Sequence, residues 1–217
     1  MRNVKKILVT LSIVLLLIYL YQLTHLPGGF FFSSLFYAII ISIFITFCIA
    51  LFTSISKFIF KKQDFVIRLS SVAIIILSIT INELYSPTLK IIVPKNYSGE
   101  VNLTLSNLDH NELNIDENGI GYITKWTFEK TYTKPKVYDT DGNDLSYLLL
   151  SYDNNRFWGQ SVGTGNTIRS LNFEIAKDAQ QKEKTYISRW LEKVDLNKVY
   201  LEDPTKKPDN ILEVKVK

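Results

Sequence analysis

One cysteine and two histidines in 217 residues leave little material for several common chemistries. Cys48 lies inside an uncharged apolar run, so the chain has no internal disulfide, no C-x-x-C pair and no thiolate metal cluster. His110 is the only histidine beyond the hydrophobic N-terminal region. Asp109 and Glu112 beside it would complete a metal-like set, but a polar turn of this composition is ordinarily solvated. No G-x-S-x-G or other nucleophile signature occurs, and the adjacent acids Asp116 and Glu117 do not have the disposition of a glycosidase pair. One-sided charge is missing from the second half as well. Before Pro87 there are seven basic residues and two acidic ones; the remainder holds 18 basic and 19 acidic. The basic excess therefore belongs to the hydrophobic half, and a nucleic-acid partner is not expected. No cofactor is expected either.

What the chain has in quantity is apolar sequence free of charge. Residues 7–23 and 35–55 contain none, at 17 and 21 residues, against the roughly 20 needed to cross a bilayer core of about 30 Å as a helix. Residues 65–84 form a third run in which Arg68 and Glu83 lie near the ends, where charged heads reach the interfaces. Transmembrane helices are predicted at about 7–24, 34–56 and 65–84, in a membrane region covering 1–86. A basic start before an apolar core also describes a signal peptide, but neither a small-x-small cleavage site nor a lipobox cysteine follows, so an uncleaved anchor is the reading. Arg2, Lys5 and Lys6 precede the first run, and Lys57, Lys61, Lys62 and Arg68 follow the second, while the loop 24–34 has no Lys or Arg. Retention of basic loops on the cytoplasmic side predicts an in-out-in-out course, which sets the N-terminus inside and everything after Glu83 outside. Tyr85 and the triplet Phe30, Phe31 and Phe32 then fall at outer interfaces, where aromatic residues are enriched. Neither of the first two spans carries an ionisable group at membrane depth, which argues for an anchor over a transporter.

After Pro87 the pattern changes to short β-like runs punctuated by turn residues, at spacings suited to a sandwich. Strands are predicted at 89–93, 100–105, 112–115, 121–124, 136–139, 145–152, 157–162, 167–175, 198–201 and 211–216. The run Leu148, Leu149, Leu150 suggests that 145–152 is a central strand covered on both faces. Asn, Asp and Gly in 116–119, 141–144 and 163–166 supply the turns between strands. Residues 177–194 break the β pattern and place Tyr186, Ile187, Trp190, Leu191 and Val194 at helical spacing, which predicts one short amphipathic helix.

The segment Val93-Pro94-Lys95-Asn96-Tyr97-Ser98-Gly99-Glu100-Val101, followed by Asn118-Gly119-Ile120-Gly121-Tyr122-Ile123 and the run 134–145, resembles small bacterial envelope domains of unknown function that open with a V-P-x-x-Y-x-G-x-V strand. These are similar to transthyretin-like and carboxypeptidase-regulatory-like sandwiches. The resemblance covers about residues 90–175. It implies an antiparallel transthyretin/Ig-like sandwich over 87–217, on the extracytoplasmic side of a bacterial cytoplasmic (inner) membrane, and it implies no catalytic residues. The helix at 177–194 and the three-span anchor depart from that pattern.

Two clusters remain as candidate sites. Asp139, Asp141 and Asp144 have calcium-like oxygen density, but the D-x-D-x-D-G order is absent and Leu150 stands where a bidentate acid would be needed, so a tight turn is favoured over a metal site. Arg156, Phe157 and Trp158, next to a glycine-rich tip, have the composition of a loop that grips a sugar, peptide or protein surface; the alternative is that one of the two rings is core. The combined expectation is a non-enzymatic, membrane-anchored β-sandwich whose partners are the lipid bilayer and an envelope protein, peptide or glycan. A membrane-bound immunity or sensor protein and a metal-dependent envelope enzyme or transporter accessory are the competing classes.

Overall fold

A computed structural model describes residues 2–27, 33–153, 156–161, 163, 165–180 and 190–210. The chain divides into two compact units, Met1–Tyr85 and Ser86–Lys217.

The first unit contains α1 (Arg2–Leu23), α2 (Ser34–Ile59) and α3 (Phe65–Glu83), each long and apolar enough to cross a membrane. The first helix starts at Arg2, five residues before its uncharged run, because backbone hydrogen bonding continues past the apolar stretch. Local chemistry sets the other starts. Ser33 accepts from the Phe36 amide, and Asp64 accepts from the Val66 amide at 2.7 Å, each satisfying an orphan donor of a first turn. Tyr19, Leu23 and Leu77 are buried in a seam that also takes in Ala38, Ile41 and Ala73, and the Tyr19 hydroxyl bonds Ser42 Oγ at 3.1 Å. Ile43, Phe44 and Phe47 instead face outward, an apolar surface suited to lipid. Lys5 Nζ meets the Asp64 carboxylate at 2.9 Å, which brings the N-terminal ends of α1 and α3 together, with α2 running the opposite way. The aromatic triplet Phe30–Phe32 lies outside the described residues.

Among the described residues the second unit has seven short strands: β1 (Lys90–Val93), β2 (Gly99–Leu105), β3 (Ile120–Ile123), β4 (Lys136–Asp139), β5 (Leu149–Leu150), β6 (Gly159–Ser161) and β7 (Ser170–Ile175). β1 pairs with β4 in one sheet, and the other runs β3-β2-β7-β5, with β6 also on β7. Two of these pairings, β1 with β4 and β2 with β3, are parallel, so the small sheet is parallel and the large one mixed where an antiparallel sandwich was expected. Turn-punctuated apolar runs set strand length but not partner, and both parallel pairs are joined by long crossovers. Residues 112–115 make single bridges rather than a strand: Asn114 pairs with Ile92 of the small sheet and Glu112 with Tyr122 of the large one. They stitch the two sheets together on one side. On the other, the chain returns from β4 through a bridge between Asp144 and Tyr138 and continues into β5.

The central strand is β7, flanked by β2 on one side and by β5 and β6 on the other, and not 145–152. That segment opens as a 3-10 turn, Ser146–Leu148, because Asp144 captures the Ser146 amide at 2.8 Å and Ser146 Oγ accepts from the Val137 amide at 3.0 Å. Only Leu149 and Leu150 remain extended. Residues 198–201 are reduced to a bridge from Val199 to Ser106. A helix not anticipated from sequence, α4 (Lys125–Lys130), starts where Thr124 Oγ1 accepts from the Thr127 amide. Of the predicted helix 177–194, residues 181–189 lie outside the described residues, and the described end is a 3-10 turn, Trp190–Glu192. The predicted strand 211–216 also lies outside them.

Inward-facing residues from both sheets make one core: Ile91, Val93 and Val137 from the small sheet, Val101, Leu103, Leu105, Leu171, Phe173 and Ile175 from the large one. The opposite face of the large sheet is also covered. Ile120, Tyr122 and Ile168 pack there with Trp190, Val194 and Val199 in a second cluster.

Candidate functional site

Alternation along β2 sends Val101, Leu103 and Leu105 into the main core and therefore Asn102 and Thr104 to the other face. Strand register sets Asn102 opposite Asn172 of β7, and Thr104 opposite Ser170. Asn102, Thr104 and Ser170 are fully shielded from solvent. Neither amide atom of Asn102 has a hydrogen-bond partner, and the hydroxyls of Thr104 and Ser170 have none. Asn172 leans the other way, over Gly159 of β6, where a Cβ would collide with its side-chain oxygen. Glu174, on the same face, is 3% exposed. Unpartnered polar atoms at such depth are uncommon, and groups of this kind are ordinarily satisfied by ordered water or by a polar guest. This cluster was missed in the sequence because Asn and Thr alternating with Val and Leu look like the solvent face of a half-buried strand. The signal that could have found it lies in β7, where Ser170, Asn172 and Glu174 repeat the polar alternation.

The expected binding residues are divided between surface and core. Trp158 is buried, donates its indole N–H to the Thr133 carbonyl at 2.9 Å, and meets Phe173 edge-on. Phe157 is half-buried, 5.2 Å from the Trp158 ring between centroids, with Lys134 Nζ over its own ring. Arg156 is exposed, bonded to the Asp153 carboxylate and stacked on Tyr152. These three side chains are adjacent in sequence but do not converge on a common surface.

Asp139, Asp141 and Asp144 are likewise separated by their partners. Asp139 is buried inside its own turn and accepts from the Asp141 amide, the Asn143 amide and Asn143 Nδ2, all within 2.9 Å. The Asn143 side chain, followed by these amides, holds its carboxyl below the usual range. Asp141 pairs with Lys95 at 2.7 Å, and Asp144 caps Ser146. No group of three His, Cys, Asp or Glu side chains is gathered among the described residues. At the other predicted cluster, His110 Nδ1 is 2.7 Å from Asp109 and its Nε2 is 4.0 Å from Glu112, whose other carboxylate oxygen meets Lys198 at 2.7 Å. That contact raises the lysine above its ordinary value.

A groove of about 520 Å³ runs beside β1, lined by Ile92, Pro94, Asn114, Ile115, Glu117 and Thr140 among others. Its walls are mainly apolar, and Asp116 and Glu117 add carboxylates to the lining.

No protein-family profile matches the chain, and no curated protein does so either. Among solved structures, one described as a "Putative Lipoprotein from Bacillus anthracis" aligns over 50% of this chain and 90% of its own length, at 9% identity and a TM-score of 0.29, a likeness that carries no argument about fold or function.

Proposed function

We propose that this protein is a non-enzymatic interaction module, held by a three-helix anchor and presented on the extracytoplasmic side of the membrane. The observation that carries the reading is the Lys5–Asp64 pair. It gathers the start of α1 and the α2–α3 turn at one end of the bundle, so that Arg2, Lys5, Lys6, Lys61 and Lys62 share that end. Basic residues are retained in the cytoplasm, and a chain that starts there and crosses three times emerges on the other side. On this reading the domain that follows Tyr85 is extracytoplasmic. A recognition role is supported by the separation of the acidic clusters, by the structural bonds of the exposed histidine, and by the apolar groove beside β1. An envelope protein, peptide or glycan is the class of partner such a domain would meet.

A cysteine at Thr140, exposed at the β4 turn, tests the orientation in a Cys48→Ala background. In intact cells, or spheroplasts where there is an outer membrane, an impermeant maleimide is expected to label Thr140→Cys and to spare Lys61→Cys. The opposite pattern would show the bundle to be inverted.

A further inference from the structure

Alternation along the small sheet sends Ile91, Val93 and Val137 into the main core, and therefore Lys90, Ile92, Lys136 and Tyr138 to the outer face. Register sets Lys90 directly beside Lys136, and Ile92 beside Tyr138. Both lysines are exposed, and neither enters an ion pair among the described residues. Like charges directly opposite one another weaken a strand pair, so pairing by itself gives no reason for two lysines there. Lys90 Nζ lies over the Tyr138 ring, 5.1 Å from its centroid, and the charge of Lys136 reaches Asp144, the bridge partner of Tyr138.

The other end of the same face is acidic. Asn114 bridges Ile92 in parallel, so Asp116, two residues on, falls level with Pro94, four residues along from Lys90. Asp116 Oδ1 accepts from the amides of Asn118 and Ile120, whereas Glu117 is exposed and has no ion pair among the described residues. The groove of about 520 Å³ takes in Ile92, two residues past Lys90, and reaches Asp116 and Glu117, with Pro94 and Ile115 adding apolar surface between. At about 3.3 Å per residue, the basic and acidic ends stand about 13 Å apart. Four neighbouring chains at about 4.8 Å spacing, over about five residues of length, give the face an area of about 300 Å². A stable pairing of two proteins buries about 800 Å² on each, so this face is too small to hold a second copy and is matched to a few residues of extended chain.

We propose that the outer face of the small sheet docks a short extended peptide segment of a partner protein: an acidic side chain against Lys90 and Lys136, apolar side chains in the groove, and a basic side chain against Asp116 and Glu117 about four residues away. The inference rests on the β unit being an interaction module and names the chemistry of its partner.

The test presents displayed random heptapeptides to the full chain in detergent micelles and measures the recovered peptides by fluorescence anisotropy. Enriched sequences are expected to carry Asp or Glu four positions from Lys or Arg, with apolar residues between. Lys136→Glu and Glu117→Lys, both at exposed positions, should each weaken such a peptide about fivefold while leaving the urea midpoint in place. A chain with Lys90→Glu, Lys136→Glu and Glu117→Lys together should instead prefer the peptide whose two charges are exchanged, a rescue that mere structural damage would not give. Peptides that bind every variant equally overturn this face and leave the module reading standing, and the absence of any enriched peptide also overturns it. A dimer in sedimentation velocity that Lys136→Glu dissolves would make a second copy the occupant and overturn the peptide. Photocrosslinking of the intact chain in its own membrane separates the two failures, since no partner at all is captured if the module reading is wrong.

Discussion

Replacing Thr104 with valine should stabilise the β unit. The two side chains have nearly the same shape and the same β-branched preference for a strand, so backbone and packing are preserved. What changes is one hydroxyl, fully shielded and without a hydrogen-bond partner. A buried polar group left unpaired costs about 1–3 kcal/mol, and its removal should recover about 1 kcal/mol of that after local relaxation. With an m-value of about 2 kcal/mol/M in urea, the midpoint moves up by about 0.5 M. The assay is built into the sequence, because Trp126, Trp158 and Trp190 all lie beyond Tyr85, so tryptophan fluorescence of the full chain in micelles follows this unit alone. Leu103→Ala, the adjacent residue on the opposite face, is the internal contrast and should cost about 2–5 kcal/mol through its cavity. Ser170 is the register partner of Thr104 in the same buried patch, so Ser170→Ala and Thr104→Val should couple, departing from additivity by about 0.5 kcal/mol or more. A loss of about 1 kcal/mol or more in Thr104→Val would refute the reasoning and show that the hydroxyl is satisfied by a guest or by water.

Further perturbations address the turns and the core. Gly119 has φ +80° and a Cβ there would overlap the Glu100 carbonyl oxygen and the Tyr97 hydroxyl, so Gly119→Ala should lower stability by about 2 kcal/mol or more. Gly142, at φ +87° with open space around it, should lose only about 1 kcal/mol on the same change, both being read from urea midpoints. Trp158→Phe removes the bond to Thr133 and part of the main core, for a loss of about 2 kcal/mol in the same assay. Asp139 has a folded value below its ordinary 3.8, so the unfolded chain takes up the proton first as pH falls. Its contribution is present above about pH 4 and is lost as pH drops through the lower folded value; Asp139→Asn should flatten that acid limb in midpoints measured from pH 5 to pH 2.

The three apolar helices and the change to β structure after Pro87 are written locally. An uncharged run of about 20 residues has only a helix as its solution in lipid, and Ser33 and Asp64 mark two helix starts through their own side chains. β1, β2, β3, β4 and β7 are legible for the same reason, since period-two alternation bounded by Gly, Asn and Asp is a property of a few neighbouring residues. Partners are not local. Whether β1 pairs with β4 in parallel, whether 112–115 stitches two sheets together, and which strand is central depend on residues tens of positions apart. The apolar run Leu148–Leu150 illustrates the difference, because the captured amide of Ser146 bends the chain before the strand can form. Composition allows a binding loop at Phe157 and Trp158 but favours a strand with one ring in the core, and contact with Phe173, fifteen residues on, makes Trp158 the ring that is inside. Burial of Asn102 and Thr104 is decided in the same way. Their alternation says only that they leave one face of β2, and the second layer around Trp190 and Ile168 determines that the other face is not water. Side-chain identity thus sets local conformation and which face a residue takes, while the depth of each face is a sum over distant contacts that exists only once the chain has folded.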